Sequence, residues 1–164
     1  MLQDTIKKTN VVLEKVFLEP FNVLLIRETT GISALSKIFE ADYGEIFSFI
    51  KKNELKAGRV MAFYLDYEDP VTLEAGVEVD KIPGYLNGRI ESKFVAGGEA
   101  VLAHYTGPYE EMETPYNEIK KWLKENNREA RELPFEVYLN DPSQVKDKYE
   151  LKTDVYQFLI NLNR

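Results

Sequence analysis

Glu136 is the residue whose surroundings most favour specific chemistry, because its carboxylate lies among aromatic and aliphatic neighbours. Residues 133–140 alternate with a period of two, which predicts a strand whose successive side chains point to opposite faces. One face would carry the apolar residues Phe135, Val137 and Leu139. We expect that face to pack under helices, and we expect Glu136 and Tyr138 on the opposite face, which would be open or line a cavity.

Tyrosines supply the second part of this chemistry. Tyr64 matches Tyr138 in an earlier, similar segment, and Tyr156 lies in the last predicted strand, where we expect it to share their face. Aromatic faces attract a cation by about 0.5–2 kcal/mol each, and a buried carboxylate supplies the counter-charge. This combination favours a lipophilic cation as ligand. The alternation also allows a plainer interpretation, with Glu136 on a solvated face and tyrosines that only pack.

An internal repeat tells us where such a site would lie. Residues 23–79 and 100–156 both read as strand, helix, strand, strand. Equivalent landmarks are 73 residues apart for Tyr43 and Tyr116 and 76 apart for Gly31 and Gly107. A tandem duplication predicts a pseudo-two-fold fold with a cleft between the halves, and such clefts are common ligand sites. The counterpart of Glu136 in the first half is Ala62, so the carboxylate is the strongest asymmetry between the halves.

The pattern of apolar residues, glycines and prolines predicts the secondary structure that positions these residues. The expected elements are two strands in residues 11–28 with a bend near Pro20, a helix from about 31 to 53, strands at 59–66 and 71–79, a linker at 80–92, a strand at 99–105, a helix at 109–127, and strands at 133–140 and 149–160. Residues 1–10 are expected to be a loose lead-in.

Pro115 must kink the second helix or begin a separate segment, because proline lacks an N–H. Trp122 lies beside the apolar stripe of that helix, and we expect it in the core.

Composition limits the class of protein. The chain of 164 residues is expected to form one domain, residues 1–164, with repeat halves of about 11–79 and 99–160. Its net charge of −7 argues against nucleic acid as a partner. No apolar run approaches the roughly 18 residues of a membrane span, and the start does not resemble a signal peptide. We therefore expect a cytoplasmic protein without a membrane or direct DNA partner.

Metal and cofactor sites are not expected. The chain has no cysteine, and His104 is its single histidine, without a second histidine or a spaced carboxylate set beside it. As a catalytic base, His104 would need a nucleophile or acid within reach, and no motif names one. The glycine patterns do not form a phosphate-binding or dinucleotide-binding loop.

Several segments together carry a resemblance to a known family. They are residues 104–127 (HYTGPYEEMETPYNEIKKWLKENN), 133–142 (LPFEVYLNDP), 150–156 (ELKTDVY) and 72–80 (TLEAGVEVD). In this order they resemble the GyrI-like family, the effector-binding domain of some multidrug-responsive regulators, which also occurs as a standalone protein. The resemblance implies an α+β fold: a tandem pseudo-two-fold repeat with an antiparallel sheet, two long helices and a concave ligand groove. It places the family's groove glutamate on Glu136 and its aromatic lining on Tyr64, Tyr138 and Tyr156.

Three functions remain open at this point. The first is binding of a bulky lipophilic, cationic small molecule, for sensing or sequestration. The second is a hydrolase that opens cyclopropane rings of DNA-alkylating natural products, with Glu136 activating water and a groove tyrosine stabilising the leaving oxygen. The third is an acidic inhibitor that binds DNA gyrase as a protein partner. The negative net charge supports this function, but an ordinary solvated surface would explain the same charge.

Overall fold

The structure is a computed structural model that describes residues 9–162, so the expectation for the first eight residues lies outside the described part. The elements, in chain order, are β1 (Asn10–Leu18), β2 (Phe21–Thr30), α1 (Leu35–Lys52), β3 (Ala57–Tyr64), β4 (Val71–Val79), β5 (Glu91–Val95), β6 (Gly98–Thr106), α2 (Glu113–Glu125), β7 (Phe135–Tyr138) and β8 (Lys152–Phe158). The predicted α+β class with two long helices is confirmed. None of the helices in the described part is long and apolar enough to cross a membrane.

The eight strands form one antiparallel sheet whose order shows the internal repeat. The order is β1-β6-β8-β7-β3-β4-β2-β5, so that β6-β8-β7 in the second half mirrors β2-β4-β3 in the first. The halves meet where β3 pairs with β7, and Ala62 lies directly opposite Glu136 in that register. The two positions that the repeat makes equivalent are therefore neighbours at the centre of the sheet, beside the pseudo-two-fold axis.

Each helix packs on its own half of one sheet face. Ile46 and Phe49 of α1 contact Leu24 and Val77, and Ile119 of α2 contacts Val101 among the buried residues of the second half. Burying one such aliphatic side chain stabilises the fold by roughly 1.5–3 kcal/mol. Trp122 packs against the second of these clusters, as expected.

The other face of the sheet holds a core without helices. Phe135 and Val137 are buried there with Phe21 and Phe158. The expectation that they pack under the helices is therefore wrong, and Leu139 lies outside the core, with 54% of its surface exposed. The physical reason is the shape of the sheet. It folds back on itself, so its helix-free face is covered by its own strands.

The closure of the sheet is visible at its two edges. Leu18 at the end of β1 and Val95 at the end of β5 pack on the same helix-free core, although β1 and β5 are opposite edge strands. Gly97 approaches the main chain at Leu18 so closely that a Cβ there would lie 2.4 Å from the Leu18 carbonyl oxygen. Its φ of +81° also favours glycine.

Several local predictions need adjustment. Pro115 lies in the first turn of α2, after a separate short 3-10 helix over Tyr109–Glu111, so it starts a new segment and does not kink a helix. The bend at Pro20 separates β1 from β2 as predicted. Strand β5 was missed because residues 80–92 read as a linker. Strand β7 is shorter than predicted and ends at Tyr138, because the chain bends at Leu139 and Asn140.

Candidate functional site

Glu136 is buried on the helix-facing side of the sheet, where only 6% of its surface is exposed. The Tyr138 hydroxyl donates a hydrogen bond to its Oε1 at 2.6 Å, and the Tyr116 hydroxyl donates a short hydrogen bond to its Oε2. The small side chain of Ala62 opposite leaves room for the carboxylate. Both carboxylate oxygens are thus held by phenols from two different elements, β7 and α2.

Seven aromatic side chains surround this carboxylate, and together we call them the aromatic cage. They are Phe39, Tyr43, Tyr64, Tyr67, Tyr109, Tyr116 and Tyr138. The ring of Tyr67 lies with its centroid 5.8 Å from the rings of both Tyr64 and Tyr116. The ring of Tyr138 meets Tyr109 edge-on at 6.1 Å and Phe39 at 6.0 Å.

Each wall of the cage follows from a local rule. Phe39 and Tyr43 are four residues apart on α1, so they share one helix face, and their rings stack at 5.5 Å. Tyr64 lies two residues after Ala62 on β3 and therefore on the same sheet face as Glu136. Tyr67 comes from the β3–β4 connection.

Tyr43 and Tyr116 are equivalent under the repeat and use their hydroxyls differently. The Tyr116 hydroxyl binds Glu136, whereas the Tyr43 hydroxyl donates to the main-chain oxygen of Met61 at 2.5 Å. The first half has an alanine where the second has the glutamate, so the tyrosine of the first half turns to the backbone instead.

The electrostatics of the cage are set by desolvation. Burial raises the pKa of the Glu136 carboxyl above its usual value, and the hydrogen bonds from Tyr116 and Tyr138 offset part of the rise. Burial also raises the pKa of Tyr67 and of Tyr109 to about 12, and the nearby Glu136 carboxyl adds to the rise. Burial raises the pKa of Tyr116 and of Tyr138 as well, so these two phenols keep their protons at neutral pH and donate them in hydrogen bonds to Glu136.

Glu136 has no cationic partner among the described residues. Within residues 9–162 its carboxyl accepts hydrogen bonds from two phenols, and no lysine, arginine or histidine contributes to its pKa. An ionised carboxylate in such surroundings is costly unless a positive charge comes to it. A desolvated carboxylate without a counter-ion, walled by ring faces, is a suitable site for an organic cation.

The sequence comparison decides the family. Residues 13–157 match the model of the GyrI-like small molecule binding domain. The chain belongs to the GyrI-like family. A comparison with curated proteins finds no match.

Solved structures show the same fold as this GyrI-like domain. The EcmrR C-terminal domain superimposes with a TM-score of 0.77 at 17% identity, covering 94% of this chain and 99% of that one. In an EcmrR–DNA complex, the chain spans 59% of the EcmrR chain. A hydrolase from Listeria innocua has a TM-score of 0.68 at 12% identity, covering 90% of this chain and 91% of that one. SAV2435, solved with tetraphenylphosphonium bound, has a TM-score of 0.55 at 12% identity over 92% of this chain and 95% of its own.

The predicted site residues of the GyrI-like domain do not all lie together. Tyr64 and Tyr138 lie in the aromatic cage with Glu136. Tyr156 does not, because it pairs with Phe135 in the β7–β8 register and so points to the opposite sheet face. There its ring stacks on Phe135 at 5.1 Å. The expectation that Tyr156 shares a face with Glu136 is wrong, because β7 and β8 are offset so that Val155 is the neighbour of Glu136.

Sequence reasoning missed several members of the cage. They are Phe39, Tyr43, Tyr67, Tyr109 and Tyr116. A signal for two of them was present, since Tyr43 and Tyr116 are the paired landmarks of the repeat and would both approach its central axis. Tyr67 and Tyr109 lie outside the long helices and the strands, and no periodicity places such residues.

His104 has a structural role, because its side chain contacts the strands on both sides of β6. Its Nε2 lies 2.6 Å from Glu14 of β1, and its Nδ1 lies 2.9 Å from Asp154 of β8. The hydrogen bond with Glu14 is the largest cause that raises the pKa of this histidine. Among residues 9–162, no group of three or more histidine or acidic side chains is arranged to hold a metal ion.

Proposed function

We propose that this GyrI-like domain binds bulky lipophilic cations at Glu136 and thereby senses or sequesters them. The observation that carries the proposal is the buried Glu136 carboxylate, which has two phenol donors and no cationic partner in the described part of the chain. The family is one of small molecule binding domains. SAV2435, which shares the fold, was solved with the lipophilic cation tetraphenylphosphonium.

The energetics favour a cation over a neutral ligand of the same shape. A neutral molecule would leave the Glu136 carboxylate without a counter-charge in a desolvated site. A cation supplies that charge, and each ring face adds about 0.5–2 kcal/mol. Because Glu136 is only 6% exposed, a bulky ligand must move some of the rings that cover it.

Calorimetric titration with tetraphenylphosphonium tests the proposal. Glu136→Gln keeps the shape of the side chain and removes its charge, and we expect at least tenfold weaker binding, about 1.4 kcal/mol. The matched control is Glu125→Gln, the same change at an exposed position at the end of α2, which should bind like the wild type. Unchanged affinity in Glu136→Gln would refute this account of the site.

Hydrolysis is the second candidate, and the raised pKa of the Glu136 carboxyl favours it. A carboxyl whose pKa lies closer to neutral is a better general base for activating water, and the phenols beside it could donate a proton to a leaving oxygen. Mass spectrometry after incubation with a cyclopropane-containing electrophile would reveal addition of one water. A hydrated product that Glu136→Gln does not form would indicate an enzyme, whereas unreacted compound that binds would indicate a binding domain.

A further inference from the structure

A hollow of about 520 Å³ lies outside the aromatic cage, and we call it the outer hollow. It is bounded by the β3–β4 connection and by the residue that precedes Pro134. Its lining is Asp66, Tyr67, Glu68, Asp69, Pro70 and Leu133. Its apolar walls are open to solvent, since Tyr67 is 48% exposed and Leu133 is 47% exposed. The volume falls within the range of small-molecule sites, roughly 300–1,000 Å³.

Tyr67 belongs to both the outer hollow and the cage. One part of its side chain lines the hollow, while its ring packs on Tyr64 and Tyr116, the latter bound to Glu136. A single side chain thus separates the outer hollow from the side chains that hold the buried carboxylate. Tyr67 is 48% exposed and hydrogen-bonds to Tyr116, whereas Tyr138 is less exposed and donates to the buried Glu136, so Tyr67 can turn outward at lower cost than Tyr138.

The outer hollow has the same charge preference as the cage. Asp66 and Asp69 each accept one main-chain N–H, from Thr72 and Ile32, both at 3.2 Å, so their carboxylates are held in place. Among residues 9–162, no lysine or arginine forms a salt bridge with Asp66, Glu68 or Asp69. A positive charge that approaches the cage from this side therefore meets unneutralised carboxylates next to the exposed faces of Tyr67 and Leu133.

We propose that the ligand site has two parts, the aromatic cage and the outer hollow. Tyr67 lies between them and contacts both. The ligand class is then an organic cation with more than one aromatic arm on its charged centre. One arm and the charge lie in the cage near Glu136, and another arm lies between Tyr67, Pro70 and Leu133. This inference rests on the proposed function and adds a size preference to it, because a cation with a single ring fills only the cage.

Filling the outer hollow tests the inference. Leu133→Trp adds bulk to its wall, and Leu139→Trp is the matched control, the same change at an exposed leucine beyond the end of β7. We expect Leu133→Trp to weaken tetraphenylphosphonium binding at least tenfold and Leu139→Trp to change it less than twofold. Phenyltrimethylammonium, a single-ring cation, should bind wild type and Leu133→Trp equally. Equal tetraphenylphosphonium affinity in the two leucine variants would overturn the inference.

A charge reversal provides an independent readout if the tryptophan perturbs the fold. Glu68→Arg places a cation in the outer hollow and should weaken tetraphenylphosphonium binding at least threefold, whereas Glu125→Arg should not. Equal affinity in these two variants would contradict the inference.

The titration of Glu136→Gln separates the two proposals. If it loses affinity while Leu133→Trp and Glu68→Arg do not, only the outer hollow fails. If it keeps full affinity, the proposed function fails as well.

Discussion

At the scale of single residues, Glu136 combines the binding role proposed above with a cost to stability. Its carboxyl is buried, and desolvation raises its pKa although two phenols donate to it. Because the folded pKa lies above the unfolded value, the native state favours the protonated form. The contribution of this group to stability is therefore fully present below the unfolded pKa and is lost as the pH rises through the folded pKa.

Glu136→Gln should therefore stabilise the protein at alkaline pH. We expect the free energy of unfolding to rise by about 1 kcal/mol at alkaline pH. The gain should shrink as the pH falls through the raised folded pKa of Glu136 and should be absent below the usual glutamate pKa. Urea denaturation of the variant and the wild type at several pH values measures this. Glu125→Gln serves as the control, with no gain at any pH. A variant that is less stable than the wild type mainly at alkaline pH would contradict the assigned burial.

The effect of replacing a tyrosine by phenylalanine on ligand affinity should depend on the sheet face on which the tyrosine lies. Tyr116→Phe removes a donor to Glu136, which makes the ionised form less favourable, and should weaken tetraphenylphosphonium binding by about 1 kcal/mol. Tyr156→Phe changes the opposite face and should leave the affinity unchanged. Calorimetric titration of the two variants measures the contrast, and a loss of affinity in Tyr156→Phe would show that the site extends through the sheet.

At the scale of elements, the two helices and edge strand β1 are held to the sheet in different ways. Helix α1 packs on β2 and β4, helix α2 packs on β1, β6 and β8, and both helices carry cage residues. Edge strand β1 is joined to β6 and through it to β8. His104 of β6 makes that connection with side chains, since it contacts Glu14 of β1 and Asp154 of β8. Its hydrogen bond with Glu14 raises the pKa of the imidazole.

His104 should make the attachment of β1 dependent on pH. Its folded pKa lies above the unfolded value, so its stabilisation is present below the usual histidine pKa and is lost as the pH rises through the folded pKa. Because the side chain is about two-fifths exposed, solvent screening limits the effect to about 0.5 kcal/mol. His104→Gln should therefore lose stability in mildly acidic buffer and little in alkaline buffer, as measured by urea denaturation. A larger loss in alkaline buffer would contradict this sign.

At the scale of the whole molecule, the sheet must close on itself to bury its second face. The helix-free core contains residues from the edge strands β1 and β5 and from β2, β3, β6, β7 and β8, and it exists only because the sheet edges approach each other. Gly97 lies in the short β5–β6 connection beside Leu18 at the end of β1, and the close approach of the two main chains leaves no room for a side chain at this position. The aromatic cage depends on the closure indirectly, because closure covers Phe135 on one face of β7 and leaves Glu136 to the helices on the other.

Gly97→Ala should destabilise the entire fold. The added Cβ would meet the Leu18 carbonyl oxygen at 2.4 Å, and the backbone has a φ of +81°. We expect a loss of at least about 2 kcal/mol in the free energy of unfolding. Gly84→Ala is the control, because no atom lies within 4 Å of its Cβ position. Thermal denaturation compares the two, and equal melting temperatures would show that the β5–β6 connection tolerates a side chain at residue 97.

The sequence by itself determined the repeat, its elements and the central carboxylate. The spacing of Tyr43 and Tyr116 revealed the two halves, and strand alternation placed Glu136 and Tyr138 on one face, because alternation is a local property of an extended chain. The tertiary structure alone decided which face the helices cover. Periodicity is the same for both faces, and only the closure of the sheet assigns Phe135 to one core and Glu136 to the cage. Register between strands likewise separated Tyr156 from the site, and loop geometry brought Tyr67 into it, since both depend on contacts between residues distant in sequence.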